Sequence, residues 1–442
     1  MNLKISSLLV FIGLSSIGFA QRDLSASEAV FISLEKNYQV IISGKQHSIN
    51  ELNNRWSEAG AFPTVDLTLI NGNTIQDNTN NPFTFIPGIV LTQSINPSLT
   101  ANWNIFTGFA VRISKERLEI LENQSANNAM AVIENTIQDV LKAYYTAQLQ
   151  HDRKDLFKSI MELSKDKMHY YELKEKYSNA NTLELMQFKN QYFTDSTNLL
   201  MQEISCDNSI RNLLLLMNDS TITAEGLNLT DKMDLKVMDV DFSEAETEMY
   251  SNNQNLTNQY ISLELQKTNT AFQRSFLYPT LSFQAGVQPG WSWIREIQNN
   301  AFQAETSNLS YYGNINLRYS IFNNWKNKRA VEVSKIQEEI STLNIENMKM
   351  TLSSTLQNLI ALCKARVQLV SISQENLVYS KKALELAQER FAIGGINSID
   401  LASFLNNYQN TLIQHYENLF NKMDTYLEIY KMTGKIGLEY VK

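Results

Sequence analysis

Residues 280–288, Thr280-Leu281-Ser282-Phe283-Gln284-Ala285-Gly286-Val287-Gln288, alternate apolar and polar side chains. Period two is the signature of a strand with one apolar and one polar face. A second run, Asn314-Ile315-Asn316-Leu317-Arg318-Tyr319-Ser320-Ile321, repeats it, and the same pair occurs earlier at residues 65–69 and 99–105. Three landmarks share one spacing. Ser27-Glu28-Ala29 recurs as Ser243-Glu244-Ala245, Pro63 as Pro279, and Ile105-Phe106 as Ile321-Phe322, so 243−27, 279−63 and 321−105 each give 216. The chain reads as a tandem duplication, each copy being helix, strand, strand, long helix, helix.

The expected organisation is a signal segment at 1–20, a first repeat at 21–217, a linker at 218–242 and a second repeat at 243–442. In the signal, Lys4 supplies the positive end, residues 5–17 the apolar core, and Gly18-Phe19-Ala20 a small-x-small cleavage site. Its core of about 13 apolar residues is shorter than the roughly 20 that a spanning helix needs. The formal charge is −8, and loss of Lys4 with the signal makes it −9. That acidity argues against a nucleic-acid partner and suits a surface or pore that tolerates cations. Two cysteines, Cys206 and Cys363, do not make a disulfide scaffold.

Ser25 or Ser27 is expected to cap a helix running to about Ala59, which Pro63 ends. Strands are expected at about 64–73 and 97–106, with residues 71–87 as a polar loop rich in turn formers. From Phe109 to about Lys176 the pattern is helical, and Ile133, Ile137, Val140, Tyr144 and Ala147 step 4-3-4-3, a coiled-coil seam. Some 65 residues of unbroken helix would reach roughly 100 Å. Residues 179–182 break the pattern before a return helix to about Met217, within a hairpin at 109–217. The second copy repeats the plan: a helix at 243–277, strands at about 280–289 and 313–322 with residues 290–309 as loop, and a hairpin at 325–434. Ser398 is its expected cap, and Leu401, Leu405, Tyr408 and Leu412 its seam.

Each alternating segment has about the length of a tilted strand crossing a bilayer. Leu67, Leu69, Leu99, Ala101, Trp103, Ile105, Leu281, Phe283, Val287, Ile315, Leu317, Tyr319 and Ile321 fall on the apolar face; Thr68, Thr100, Asn102, Asn104, Ser282, Gln284, Asn316, Arg318 and Ser320 fall opposite. A soluble sandwich would show the same alternation. The aromatics favour a membrane: Trp103 and Tyr319 are repeat-equivalent, and Phe106, Phe109, Phe322 and Trp325 stand near them as an interfacial belt would. Four strands cannot close a barrel and an open edge cannot stand in lipid, so the strands must be pooled between chains. Two chains would give a filled barrel and three a hollow one.

No His-x-x-x-His pair, Cys-x-x-Cys, Gly-x-Ser-x-Gly elbow or Gly-rich phosphate loop occurs, so neither an enzyme nor a cofactor or metal is expected. Glu184 and Asp400 are repeat-equivalent and each sits just inside the helix after the distal turn. They read either as helix N-terminal stabilisers or, in a ring of subunits, as a carboxylate ring at the narrow end of a tube. The turns Asn179-Ala180-Asn181-Thr182 and Gly394-Gly395-Ile396-Asn397 read either as hairpin loops or as docking tips.

With signal, duplicated strand pairs, two long hairpins and the tip at residues 391–401, the chain resembles the TolC-like outer membrane efflux proteins. The helix–strand switches at Pro63 and Pro279 and the Ile-Phe strand ends are similar to that family's as well. The resemblance implies a homotrimer with a twelve-stranded barrel in outer membrane lipid and a helical tunnel through the periplasm. It also implies docking, through the tips, with a periplasmic adaptor and an inner-membrane transporter. Acidic residues one turn apart near the tip constrict the family's closed tunnel; Asp400 matches the first position, and Ser403 stands at the second. The first-copy tip lacks the family's glycine. The expected function is a passive exit duct for efflux or type I secretion, with a periplasmic coiled-coil scaffold or a secreted enzyme as the other readings.

Overall fold

The computed structural model describes residues 22–177, 182–219, 227–233 and 240–437. The expected signal segment and the tip residues Asn179, Ala180 and Asn181 lie outside these. In order, the elements are β1 (Arg22–Leu24), α1 (Ala26–Lys36), α2 (Tyr38–Asn53), β2 (Thr64–Asp77), β3 (Ile89–Thr107), α3 (Ala110–Tyr177) and α4 (Thr182–Met217). They continue with β4 (Leu227–Leu229), α5 (Phe242–Asn252), α6 (Gln254–Ser275), β5 (Thr280–Glu296), β6 (Gln303–Arg318), α7 (Lys326–Ala392) and α8 (Ser398–Met432). The duplication persists in the elements. α1 and α5, α2 and α6, β2 and β5, α3 and α7, and α4 and α8 each begin 216 residues apart.

The chain divides into two compact units, and each draws on both repeats. One comprises residues 1–41, 132–253 and 353–442. Its core is helical: Ile137, Val140, Tyr144 and Ala147 of the expected seam are buried beside Leu213, Met217, Met423 and Leu427. The linker is not wholly irregular, because β4 pairs in parallel with β1. Tyr144 ties this short ladder to α3. Its hydroxyl donates to the Leu24 carbonyl at 2.8 Å and accepts from the Asp231 N–H at 3.1 Å. Cys206 and Cys363 are buried free thiols.

The first helix of each repeat is broken, where the sequence pattern runs on. Ser25 caps α1, its hydroxyl accepting from the Glu28 N–H, but Asn37 takes an extended backbone (φ −65°, ψ 125°) and ends it. Asn253, 216 residues on, does the same to α5 (φ −69°, ψ 114°). Tertiary bonds override helix propensity there. The Asn37 amide donates to the Leu216 carbonyl at 2.9 Å and the Asn253 amide to the Met432 carbonyl at 3.1 Å. Each satisfies an orphan carbonyl at a helix C-terminus. α2 then stops at Asn53 rather than Ala59, and α6 at Ser275.

The other unit comprises residues 42–131 and 254–352 and holds a four-stranded antiparallel sheet in the order β2-β3-β5-β6. The strands overrun the expected bounds. Residues 71–77, 89–96, 290–296 and 303–309 belong to the ladders, so the loops shrink to 78–88 and 297–302. Asn71, Gly72 and Asn73 read as turn formers, yet pair with Ile95, Ser94 and Gln93. β6 ends at Arg318, which leaves Tyr319, Ile321 and Phe322 beyond the strand. At Asn104 to Phe106 the register shifts, so that Phe106 rather than Ile105 pairs with Leu281. A β-bulge of this kind re-aims one side chain.

Candidate functional site

Pairing decides how the strand faces align. Leu67 lies opposite Leu99, Leu99 opposite Val287, and Val287 opposite Tyr311. Trp103, Phe283 and Ile315 form another such row, and Leu281 with Leu317 the last. Apart from Phe106, which the register shift sets opposite Leu281, these are odd-numbered, so the four strands share one apolar face. The even-numbered rows, such as Asn102, Gln284 and Asn314, put amides and hydroxyls on the other. Along β5 the apolar face runs from Leu281 to Trp291, about the length a tilted strand needs to cross the hydrocarbon. Beyond it Trp293 lies opposite Gln93 and Glu305.

Two further features belong to this sheet. Pro97 of β3 and Pro289 of β5 fall opposite each other in the gap between the Ile95–Trp291 and Leu99–Val287 pairs. Neither has an N–H to leave orphaned, which is how prolines stand in two inner strands. On the polar face the Tyr312 ring lies over Gly286, its hydroxyl oxygen only 2.6 Å from where a Cβ would be. Among the described residues, no strand covers the outer edge of β2 or of β6. Leu67, Leu69, Ile315 and Leu317 are left largely exposed.

β3 and β6 each pass into a long helix through two consecutive left-handed residues. These are Gly108 (φ 64°) with Phe109 (φ 72°), and at the equivalent positions Asn324 (φ 57°) with Trp325 (φ 60°). An aromatic residue there pays about 1–2 kcal/mol for the left-handed backbone, a cost the surrounding packing offsets. Phe109 packs edge-on against Phe106 (5.2 Å) and Tyr278 (5.7 Å), and Phe322 edge-on against Trp325 (6.0 Å). The Trp103 indole N–H donates to the Ala61 carbonyl at 3.0 Å. Pro63 and Pro279 directly precede β2 and β5. The expected interfacial aromatics are therefore grouped at the helix end of the sheet, Trp103 and Phe106 within β3 and Tyr319, Phe322 and Trp325 in the turn after β6.

At the distal hairpin ends, Glu184 and Asp400 lie in the first turns of α4 and α8. Both line one hollow of about 810 Å³, with Tyr170, Tyr171, Lys174, Phe391 and Asn397. Ser403 is exposed and does not join that lining. The second tip is rigidly specified. Gly394 (φ 77°) and Gly395 close α7 in a Schellman motif, with the Gly395 N–H on the Arg390 carbonyl at 2.7 Å and the Gly394 N–H on Phe391 at 3.0 Å. Asn397, not Ser398, caps α8, accepting from the N–H groups of Ile399 and Asp400 at 2.9 Å each. Ser398 instead donates to the Gln187 side chain at 3.0 Å, which joins the two tips. Ile396 is half-buried, and Thr182 is exposed at the start of α4.

An aromatic cluster that the sequence pattern did not single out sits behind this hollow. Tyr171 stacks on Phe188 at 4.5 Å, and Phe391 stands 6.4 Å from each. The signal was available, since an aromatic closes each long helix near its tip. Burial, and then the Glu184 charge, push the Tyr171 phenol upward, so that it stays neutral. His415 is buried, its Nδ1 3.0 Å from the Ser373 hydroxyl, and burial lowers its pKa. Among the described residues no group of three His, Cys, Asp or Glu is placed to hold a metal, and no helix is long and apolar enough to cross a membrane.

Residues 247–435 match a family model described as "Outer membrane efflux protein". A search of curated protein sequences returns no match. Among solved structures, the CmeC outer membrane channel of Campylobacter jejuni superposes with a TM-score of 0.74 at 14% identity, over 98% of this chain and 94% of that one. The MtrE outer membrane channel of Neisseria gonorrhoeae, in its open state, gives 0.70 at 16% identity, over 92% and 88%. CusC, described in terms of folding and transmembrane channel formation, gives 0.70 at 13% identity, over 92% of each chain.

Proposed function

We propose, from the match of residues 247–435 to the outer membrane efflux protein family, that this chain is the exit duct of an export machine. Several copies complete the duct in the outer membrane. The observation that carries this is the sheet: one apolar face, one polar face and two edges that, among the described residues, have no partner strand. In lipid each unpaired N–H or C=O of an edge costs several kcal/mol, so β2 of one copy must pair with β6 of the next. Three copies give twelve strands around an aqueous bore, whereas two would give a barrel filled by side chains.

In this reading the chain performs no chemistry. The long helices continue the bore through the periplasm. Glu184 and Asp400 narrow it near the tips, with Ser403 one turn along, and residues 179–182 and 394–397 receive a periplasmic adaptor that couples to an inner-membrane pump. The domain plan of signal, two repeats and intervening linker belongs to the same reading.

The test is to purify the full-length protein from membranes in detergent, determine its subunit number by mass, and reconstitute it in a planar bilayer. A trimer that conducts ions is expected. A water-soluble monomer without conductance would refute the duct and leave the periplasmic scaffold, which has no use for a sheet with a lipid-length apolar face.

A further inference from the structure

At the helix end of the sheet, three of the four strands carry a charge pattern opposite to that of the whole chain; β2 holds Asp66. No Asp or Glu occurs between Thr306 and Val331, between Leu265 and Ile294, or between Asn78 and Lys115, although the chain has a net charge of −8. These stretches supply β3, most of β5 and β6, and the turns into α3 and α7. What they bring to the strand ends is cationic: Arg112, Arg274, Lys326, Lys328 and Arg329, all exposed. None of the five makes an ion pair with a carboxylate among the described residues.

The repeat adds a second observation. Phe109 and Trp325, the aromatics at positive φ, are each followed three residues later by a cation, Arg112 and Lys328, at equivalent positions 216 apart. The Lys328 ammonium stands 4.4 Å over the Trp325 ring. Such a contact keeps a cation beside an aromatic of the kind that sits at headgroup depth. Apolar face, aromatic row and unpaired cations thus follow one another along the chain in the order hydrocarbon, interface, headgroup.

We infer that the strand–helix junction is a binding collar for anionic phospholipid headgroups, which would be those of the leaflet on the helix side. The inference rests on the membrane-duct reading and deepens it. Lys326, Lys328 and Arg329 at the start of α7, with Arg112 at the start of α3, would hold lipid phosphates. The helix N-termini there, which carry partial positive charge, add to the attraction. Each basic residue near an anionic surface strengthens binding by about fivefold. Removing three should weaken it by roughly a hundredfold.

The experiment uses the full-length protein in mild detergent. Its thermal unfolding is measured with added phosphatidylglycerol, phosphatidylcholine or inorganic phosphate, for the wild type and for Lys326→Gln/Lys328→Gln/Arg329→Gln. Phosphatidylglycerol is expected to raise the wild-type midpoint by several degrees, and the other two additives are not. The triple variant should need about a hundredfold more of the lipid for the same shift. A Lys326→Arg/Lys328→Arg variant, which keeps the charge, should respond as wild type does, so that a mere folding defect is recognised. The collar is overturned if phosphatidylglycerol has no effect on wild type, if phosphatidylcholine or phosphate reproduces it, or if the triple variant responds at wild-type concentrations. Failure of the duct reading itself looks different: the wild type would then be a soluble monomer with no conductance.

Discussion

Gly108 and Asn324 are equivalent in the two repeats and both left-handed, yet only one of them has room for a side chain. A Cβ at Gly108 would lie 2.2 Å from the Ser275 carbonyl oxygen and 2.9 Å from the Tyr278 Cβ. Backbone at the C-terminal end of α6 must then retreat by about 1 Å to reach ordinary contact. Gly108→Ala therefore costs about 1–3 kcal/mol for overpacking and about 1–2 kcal/mol for an alanine at φ 64°. Asn324→Ala incurs only the second cost, and less of it, since asparagine tolerates this region better than alanine does but not as freely as glycine. The two variants should differ by about 1–3 kcal/mol, close to tenfold or more in the folding equilibrium. Urea titration of the purified, detergent-solubilised protein measures this through tryptophan emission, because Trp103 and Trp325 flank the two junctions. If Gly108→Ala unfolds at the same midpoint as Asn324→Ala, the close approach of Ser275 does not constrain this turn, and the reasoning fails.

Asn253→Ala should destabilise by about 1–3 kcal/mol, because it orphans the Met432 carbonyl in a buried site; a urea midpoint equal to wild type would show that water replaces the bond. Acidification should weaken the helical unit in part through His415. Burial holds its folded pKa below the usual value, so its contribution is present above about 6.5 and is lost as pH falls below that. His415→Gln should then show a smaller drop in urea midpoint between pH 7.5 and pH 5 than wild type, and an identical drop would discount the residue. Asp400→Ala combined with Ser403→Ala should alter closed-channel conductance in planar bilayers, and unchanged conductance and cation preference would remove both from the throat. Deleting residues 394–397 should abolish export and leave the assembled protein intact, and normal export would reject a docking role for that tip.

Where local chemistry carries the structure, the sequence was enough. The offset of 216 recurs in the starts of five pairs of elements because each repeat encodes its own caps, switches and seams. The expected long helices, beginning at Phe109 and about Trp325, agree with α3 and α7 to a residue or so. The aligned apolar face was legible because period two leaves no freedom once the strands pair. Strand length was not. Gly72, Asn73, Pro289 and Gly290 signal turns in isolation, and only cross-strand partners hold them extended. The aromatic belt was half legible: the residue types stood out, but the bulge at Ile105 and the end of β6 at Arg318 re-aimed them.

What only the tertiary structure decided are relations between distant segments. The breaks at Asn37 and Asn253 lie inside helical patterns and exist because carbonyls of Leu216 and Met432 need donors. Equivalence in sequence related Glu184 to Asp400, but only the folded hairpin ends place them around one hollow. The sheet order that leaves β2 and β6 as edges follows from β3 pairing with β5 across the repeat boundary. Periodicity records which side of an element is apolar, since that is written in neighbouring residues. Which strand lies beside which is a long-range choice made by the packing of the whole chain.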